Sequence, residues 1–127
     1  MQAKKDGILI TGGAGFIGRA LLQVSVDNRC RVAVYDNLSF GSKANVDAFG
    51  DAIAFFREDI RDEAAFSRAC RSFNPERVIH LAALHFIPYC NAHPEETLDV
   101  NVTGTHTVLQ TCASLGIKTA VFASTGA

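Results

Sequence analysis

The sequence lacks an excess of charge of either sign. Twelve Lys and Arg stand against thirteen Asp and Glu, a formal net charge of −1. Such a balance carries none of the basic surplus that draws proteins to nucleic acid or to an anionic membrane surface, so neither is expected as a partner. A long apolar run is also missing; nothing approaches the roughly 20 residues that span a bilayer. The first residues, Met1-Gln2-Ala3-Lys4-Lys5-Asp6, lead into a strand pattern rather than the apolar region of a signal peptide, and a cytoplasmic protein is expected. Cysteine is sparse. Cys30, Cys70, Cys90 and Cys112 form no Cys-x-x-Cys and no Cys/His pair at zinc spacing, so no metal site is expected. They read as free, mostly buried thiols. Low-complexity segments and linkers are absent too.

What is present is one domain's worth of chain, 127 residues of which 48% are hydrophobic, enough to bury a core. Short apolar runs closed by turn residues predict strands at 7–11, 31–35, 52–57, 77–81 and 119–123. Between them, helical spacing predicts helices at 16–27, 43–49, 62–73 and 94–115. Asp62-Glu63 opens the third of these, and Pro94 with Glu95 and Glu96 opens the last. Asn74-Pro75 and Gly116 are stop signals. Residues 37–42 and 83–93 read as loops. The order βαβαβαβαβ predicts an α/β fold, a doubly wound parallel sheet with helices on both faces. Strand order 3-2-1-4-5 places a ligand crevice outside the carboxyl ends of strands 1 and 4.

At that place stands "GILITGGAGFIG", residues 7–18, in which a stiff strand runs into four glycines. Glycine allows a tight turn, lets a ligand approach the backbone closely, and lets helix and strand pack without a gap. The helix that follows offers unpaired N–H groups and positive polarity to a pyrophosphate. Two registers fit: Gly13-x-Gly15-x-x-Gly18, the dinucleotide fingerprint, and Gly12-x-x-Gly15-x-x-Gly18. Asp36 ends strand 2, 18 residues after Gly18, near the offset of a ribose-binding acid. Its carboxylate would accept from both ribose hydroxyls and repel a 2′-phosphate, so the expected cofactor is NAD rather than NADP. No arginine follows Asp36 to receive such a phosphate.

The segments "TGGAGFIG", "YDNLSFGS", "REDIRD", "HLAAL", "NVTGT" and "VFASTGA" follow one another in the order and spacing of the extended short-chain dehydrogenases/reductases. The chain resembles their nucleotide-sugar epimerase/dehydratase branch over its whole length. The resemblance implies a Rossmann fold, NAD, and a nucleoside-diphosphate sugar (NDP-sugar) as substrate. It implies that Gly12, Gly15, Phe16, Ile17 and Gly18 hold the pyrophosphate, the first-turn N–H groups of Phe16 and Ile17 among them. Asp36 and Asn37 would hold the adenosine ribose, and Asp59 and Ile60 would flank the adenine. Leu81, Ala82 and Ala83 would floor the cofactor site, with Asn101 near by. Thr125 would be the catalytic hydroxyl and Ser124 its cofactor-contacting neighbour.

Plainer readings stand beside these. Asp59 equally suits a cap box for the next helix, Ala82 and Ala83 tight packing, Asn101 an ordinary helix surface, and Thr125 an ordinary strand end. His80 reads as a satisfied core histidine. His85 departs from the lysine some relatives have near the cofactor. His93 and His106 read as surface residues, and Arg57, Arg61 and Arg77 as solvated ones. The family's chemistry needs a Tyr-x-x-x-Lys pair, its tyrosine moving the proton of a sugar hydroxyl. Here Tyr35 and Tyr89 are the only tyrosines, followed four places later by Ser39 and His93. Residues 1–127 are therefore read as the NAD-binding domain of a longer enzyme, inactive alone. The alternatives are an NAD-sensing module without catalysis and a small-carbonyl reductase. An open fifth strand and apolar residues on several sides of the last helix make a homo-oligomer the expected state.

Overall fold

The computed structural model describes residues 5–125. Five strands form one parallel sheet: β1 (Gly7–Thr11), β2 (Arg31–Tyr35), β3 (Ile53–Phe56), β4 (Arg77–His80) and β5 (Thr119–Phe122). Their spatial order is β3-β2-β1-β4-β5, the expected doubly wound arrangement. Helices α1 (Phe16–Asp27), α2 (Lys43–Asp47), α3 (Glu63–Phe73), α4 (Ile87–Ala92), α5 (Pro94–Leu98) and α6 (Thr105–Ser114) connect them. A π-helical stretch, Asp99–Gly104, joins α5 to α6 without a break. Among the described residues, no helix is long and apolar enough to cross a membrane.

The sheet has a core on each face because its strands are apolar throughout. Ile8, Ile10, Val32 and Val34 point one way and pack with Leu22 of α1 and Val46 of α2. Leu9, Ala33, Tyr35 and Val78 point the other way, against Phe66 of α3 and Val108 and Cys112 of α6. Alternation within each strand thus feeds two cores instead of one core and a wet face. Phe66 meets Tyr35 edge-on at 5.1 Å, a geometry worth about 1 kcal/mol beyond burial alone. All four cysteines are free; Cys70 and Cys112 are buried, Cys30 and Cys90 partly so.

Register aligns the carboxyl ends of the strands. Phe56, Tyr35, Thr11, His80 and Phe122 are successive partners across the five strands, so they form one transverse row at the carboxyl end of the sheet. The row lies on the face that carries α3 and α6, since Tyr35 packs on Phe66 and His80 reaches Thr105.

Two segments depart from the sequence reading. Residues 83–93 are not all loop, because α4 occupies 87–92. Six residues cannot display a helical period, and Phe86, which caps α4, offers no side-chain acceptor to signal a start. The long helix predicted over 94–115 is continuous over 94–114 but takes a π turn at Asp99–Gly104. Gly104 lies there against the Ile60 side chain, where a Cβ would come within 2.6 Å of Cδ1. On this helix Val100, Val108 and Cys112 face the core, whereas Leu98 and Val102 are exposed. Val121 and Phe122 of the edge strand β5 are each 50% exposed.

The start of α3 conforms to expectation. Asp62 is its N-cap, its carboxylate accepting from the Ala65 N–H at 3.0 Å, and Asn74 closes it in the left-handed region at φ 53°. Asp62→Ala should cost about 1 kcal/mol, read as a lower urea midpoint at unchanged slope.

Candidate functional site

The glycine turn is shaped by crowding. Gly12 has φ +70°, in the left-handed region, and a Cβ there would lie 2.7 Å from the Ala82 nitrogen. A Cβ on Gly18 would meet the Gly13 Cα at 2.5 Å and the Gly12 oxygen at 2.6 Å. The first turn of α1 is thereby drawn down onto the strand end. Gly15 is the N-cap of α1, which has no side-chain cap and no acid in its first turn. The N–H groups at its start and the positive end of its dipole are left for an anion. Gly12, Gly15 and Gly18 line the cleft; Gly13 is buried against Val34 and does not. Of the two registers, Gly12-x-x-Gly15-x-x-Gly18 is the one that faces the crevice.

The cleft has a volume of about 640 Å³, within the range of about 300–1,000 Å³ typical of small-molecule sites. Phe16 and Ile17 stand at its edge, 95% and 62% exposed, two apolar side chains that the described residues leave uncovered. Asp36 is buried at the end of β2. Its Oδ2 accepts from the Ala14 N–H at 3.1 Å and its Oδ1 from the Leu38 N–H at 2.8 Å. The acid is thus held beside the glycine turn by that turn's own backbone. Asn37, Ile60, Leu81, Ala82 and Ala83 also line the cleft.

Asp59 lies in the wall with its carboxylate already engaged. Oδ1 accepts from the Arg61 N–H (2.8 Å) and Nε (3.0 Å), Oδ2 from Arg61 Nη2 (2.8 Å) and Asn37 Nδ2 (3.0 Å). The guanidinium holds this carboxyl down at about 2. An adenine amino group would compete with those donors. Arg61 is therefore no merely solvated residue; it lines the cleft and also approaches Asp99 at 3.5 Å. The pair at i and i+2 was visible in "EDIRD", but not which way it faced.

Three expected residues do not line the cleft. Asn101 spends its amide on the loop after β4, donating to the Leu84 carbonyl (2.9 Å) and accepting from the Leu84 N–H (2.8 Å). It holds the floor in place from behind. Ser124 and Thr125 lie past β5, exposed, next to Ala123, which does reach the cleft. Sequence reasoning missed Phe40, Gly41, Phe86 and Glu96, which are also part of the lining. The breakers Ser39 and Gly41 announced a loop, but only the folded chain shows it lying back on the glycine turn through Ser42 N–H to the Ala14 carbonyl.

Behind the floor sits His80, a satisfied core histidine as read. Thr105 Oγ1 donates to the Asn101 carbonyl at 2.7 Å, so it accepts from His80 Nε2–H at 2.9 Å. Nδ1 is then the acceptor for the Thr11 hydroxyl at 2.6 Å. Thr11 Oγ1 in turn accepts the Leu81 and Ala82 N–H groups, at 3.1 and 3.2 Å. Each donor is satisfied only with the imidazole neutral, and burial pushes its pKa down to about 4.

A folded pKa below the ordinary value of about 6.5 means that the unfolded chain takes up this proton first. The His80 contribution is complete above that value and is lost as pH falls from there toward 4, by on the order of 3 kcal/mol. Urea unfolding measured between pH 7 and 4 should show this slope, and His80→Gln should lack it. Asp59, depressed instead, loses its contribution only below about pH 4. Gly18→Ala should disturb the turn itself, since its new methyl meets backbone rather than a movable side chain. We expect a loss of several degrees in melting temperature, read by circular dichroism.

Comparison with known proteins gives this geometry its family. The chain is 36% identical over 120 residues to UDP-glucose 4-epimerase of Streptomyces lividans, covering 94% of this chain and 36% of that protein. It is 37% identical over 107 residues to a probable dTDP-glucose 4,6-dehydratase of Sinorhizobium fredii, covering 82% and 31%. UDP-glucose 4-epimerase of Thermus thermophilus, solved in complex with NAD, superposes with a TM-score of 0.88 at 38% identity, covering 94% of this chain and 38% of that one. The chain thus spans little more than a third of the length of the epimerases named here. The NAD dependent epimerase/dehydratase family matches residues 8–127, and the chain belongs to it.

Proposed function

We propose that this chain is the coenzyme-binding part of an enzyme that moves a hydride between a sugar carbon of an NDP-sugar and NAD. The single observation that carries the reading is the cradle at Gly12, Gly15 and Gly18. Backbone atoms occupy the space that side chains would need, and an uncapped helix start faces an open cleft. In this reading the pyrophosphate rests on the first N–H groups of α1, and Phe16 and Ile17 cover it from the solvent side. Asp36 receives the adenosine ribose hydroxyls with its lone pairs not used by Ala14 and Leu38. Leu81, Ala82 and Ala83 form the floor, held by Thr11 below and by Asn101 behind. When bound, NAD supplies the hydride acceptor; the chain's own residues orient it and exclude water.

Thr125, two residues beyond the cleft-lining Ala123, is proposed to hold the sugar hydroxyl that is oxidised, with Ser124 toward the cofactor. The sequence carries no Tyr-x-x-x-Lys, so the proton transfer is assigned to residues outside these 127, and the chain alone is proposed to bind without turning over. A sensing module without catalysis is the second reading; it would need no hydroxyls after β5. A UDP-glucose 4-epimerase and a probable dTDP-glucose 4,6-dehydratase are both among the relatives.

Calorimetric titration tests the coenzyme assignment directly. NAD should bind saturably and NADP at least tenfold more weakly, because a 2′-phosphate would meet the Asp36 carboxylate. Asp36→Asn should narrow that gap. Equal affinity of the unaltered chain for both would overturn the role given to Asp36.

A further inference from the structure

The cleft is girdled at one end by contacts that close on themselves. Phe40, in the loop after β2, leans onto Tyr89 of α4, ring centroids 5.0 Å apart and nearly perpendicular. The Tyr89 hydroxyl donates to Glu96 Oε2 of α5 at 2.7 Å. Glu96 Oε1 lies 3.9 Å from Arg61 Nη1, and Arg61 grips Asp59. Asp59 accepts from Asn37 Nδ2, three residues before Phe40 in the same loop. Every member except Tyr89 lines the cleft, so the circuit runs through its wall. It joins the loop after β2 to α4 and α5, which follow β4, across the switch point of the sheet.

We propose that this circuit is a collar around the adenosine end of the coenzyme site, and that Phe40 is the clasp through which coenzyme enters and leaves. The inference rests on the coenzyme reading above. Most other links are hydrogen bonds, and charged ones where Arg61 and Asp59 meet. The Phe40–Tyr89 link is van der Waals contact alone, with Phe40 51% exposed. Its loop is tied down beyond Phe40 by the Ser42 N–H and Asn45 Nδ2, both on the Ala14 carbonyl, and before it by the Leu38 N–H on Asp36 Oδ1, so Phe40 lies on the short span between two anchors. In this reading the Phe40–Tyr89 link binds no part of the coenzyme, so breaking it acts on entry and exit alike. A clasp of this kind sets exchange rates in both directions and leaves affinity nearly unchanged.

The test is stopped-flow binding of NADH, followed by nicotinamide fluorescence in a chain that has no tryptophan. Release is read by displacement with excess NAD. An edge-on aromatic pair of this kind corresponds to roughly a two- to tenfold change in rate. Phe40→Ala should raise association and release together by that factor, with Kd within about twofold. Tyr89→Leu breaks the same link from the other wall and should do the same, while Phe40→Tyr keeps the ring and should restore the original rates. Faster release with unchanged association would make Phe40 a simple ligand contact and overturn the collar. Unchanged rates in both Phe40→Ala and Tyr89→Leu would overturn it as well. If the unaltered chain gives no saturable NADH signal, it is the coenzyme reading that fails, and the collar falls with it.

Discussion

Three backbone segments meet where β1 ends, and the separation between them leaves no room for a side chain. Gly12 lies against Ala82, and Gly18 lies against Gly12 and Gly13. The rest of the site follows from that crowding. It brings the start of α1 down to the sheet, and it places the floor beside the turn. It also leaves the Ala14 N–H and carbonyl free to organise Asp36 and the loop that carries Phe40. A bulkier turn would separate the start of α1 from the acid beside it.

The same strand end is tied from below. Thr11 is the last residue of β1, and its one hydroxyl group serves His80 as donor and the Leu81 and Ala82 N–H groups as acceptor. His80 continues the line to Thr105 on α6, and Phe122 stacks on its ring at 5.8 Å. Strand, floor and helix are thus joined by a polar thread within an apolar core. Such a thread is favourable only when every member has its partner, and here none of the buried side-chain nitrogens and oxygens described is left without one.

Strands β1 and β2 and helix α1 were legible to the residue, because short apolar runs closed by turn residues and a 3.6-residue stripe leave distinct patterns. The cradle was legible for a different reason: four glycines after a strand have few other uses. Between its two registers only three-dimensional packing could choose, since Gly13 and Gly12 differ in what lies opposite them, not in their neighbours along the chain. The aspartates divide in the same way. Asp36 was singled out by its offset from Gly18, and it lies in the cleft. Asp59 lies in the cleft too, but its four donors come from Asn37 and Arg61, and a linear sequence does not show a carboxylate filling up. Phe40, Tyr89 and Glu96 were invisible as a group because nothing in their spacing relates one to another; the topology alone assembles them. Asn101 was placed near the floor and belongs there, but as a brace on Leu84 rather than as part of the lining.

The widened turn at Asp99–Gly104 holds one residue more per hydrogen-bonded loop than the helices on either side. That surplus residue is a phase adjuster. Because each helical residue advances the azimuth by about 100°, the side chains before the turn and those after it answer to different frames: Glu96 is aimed at Arg61, while Thr105 and Val108 are aimed at the sheet. Excising one residue from this stretch would leave a smooth helix in which only one of the two sets could still meet its neighbours.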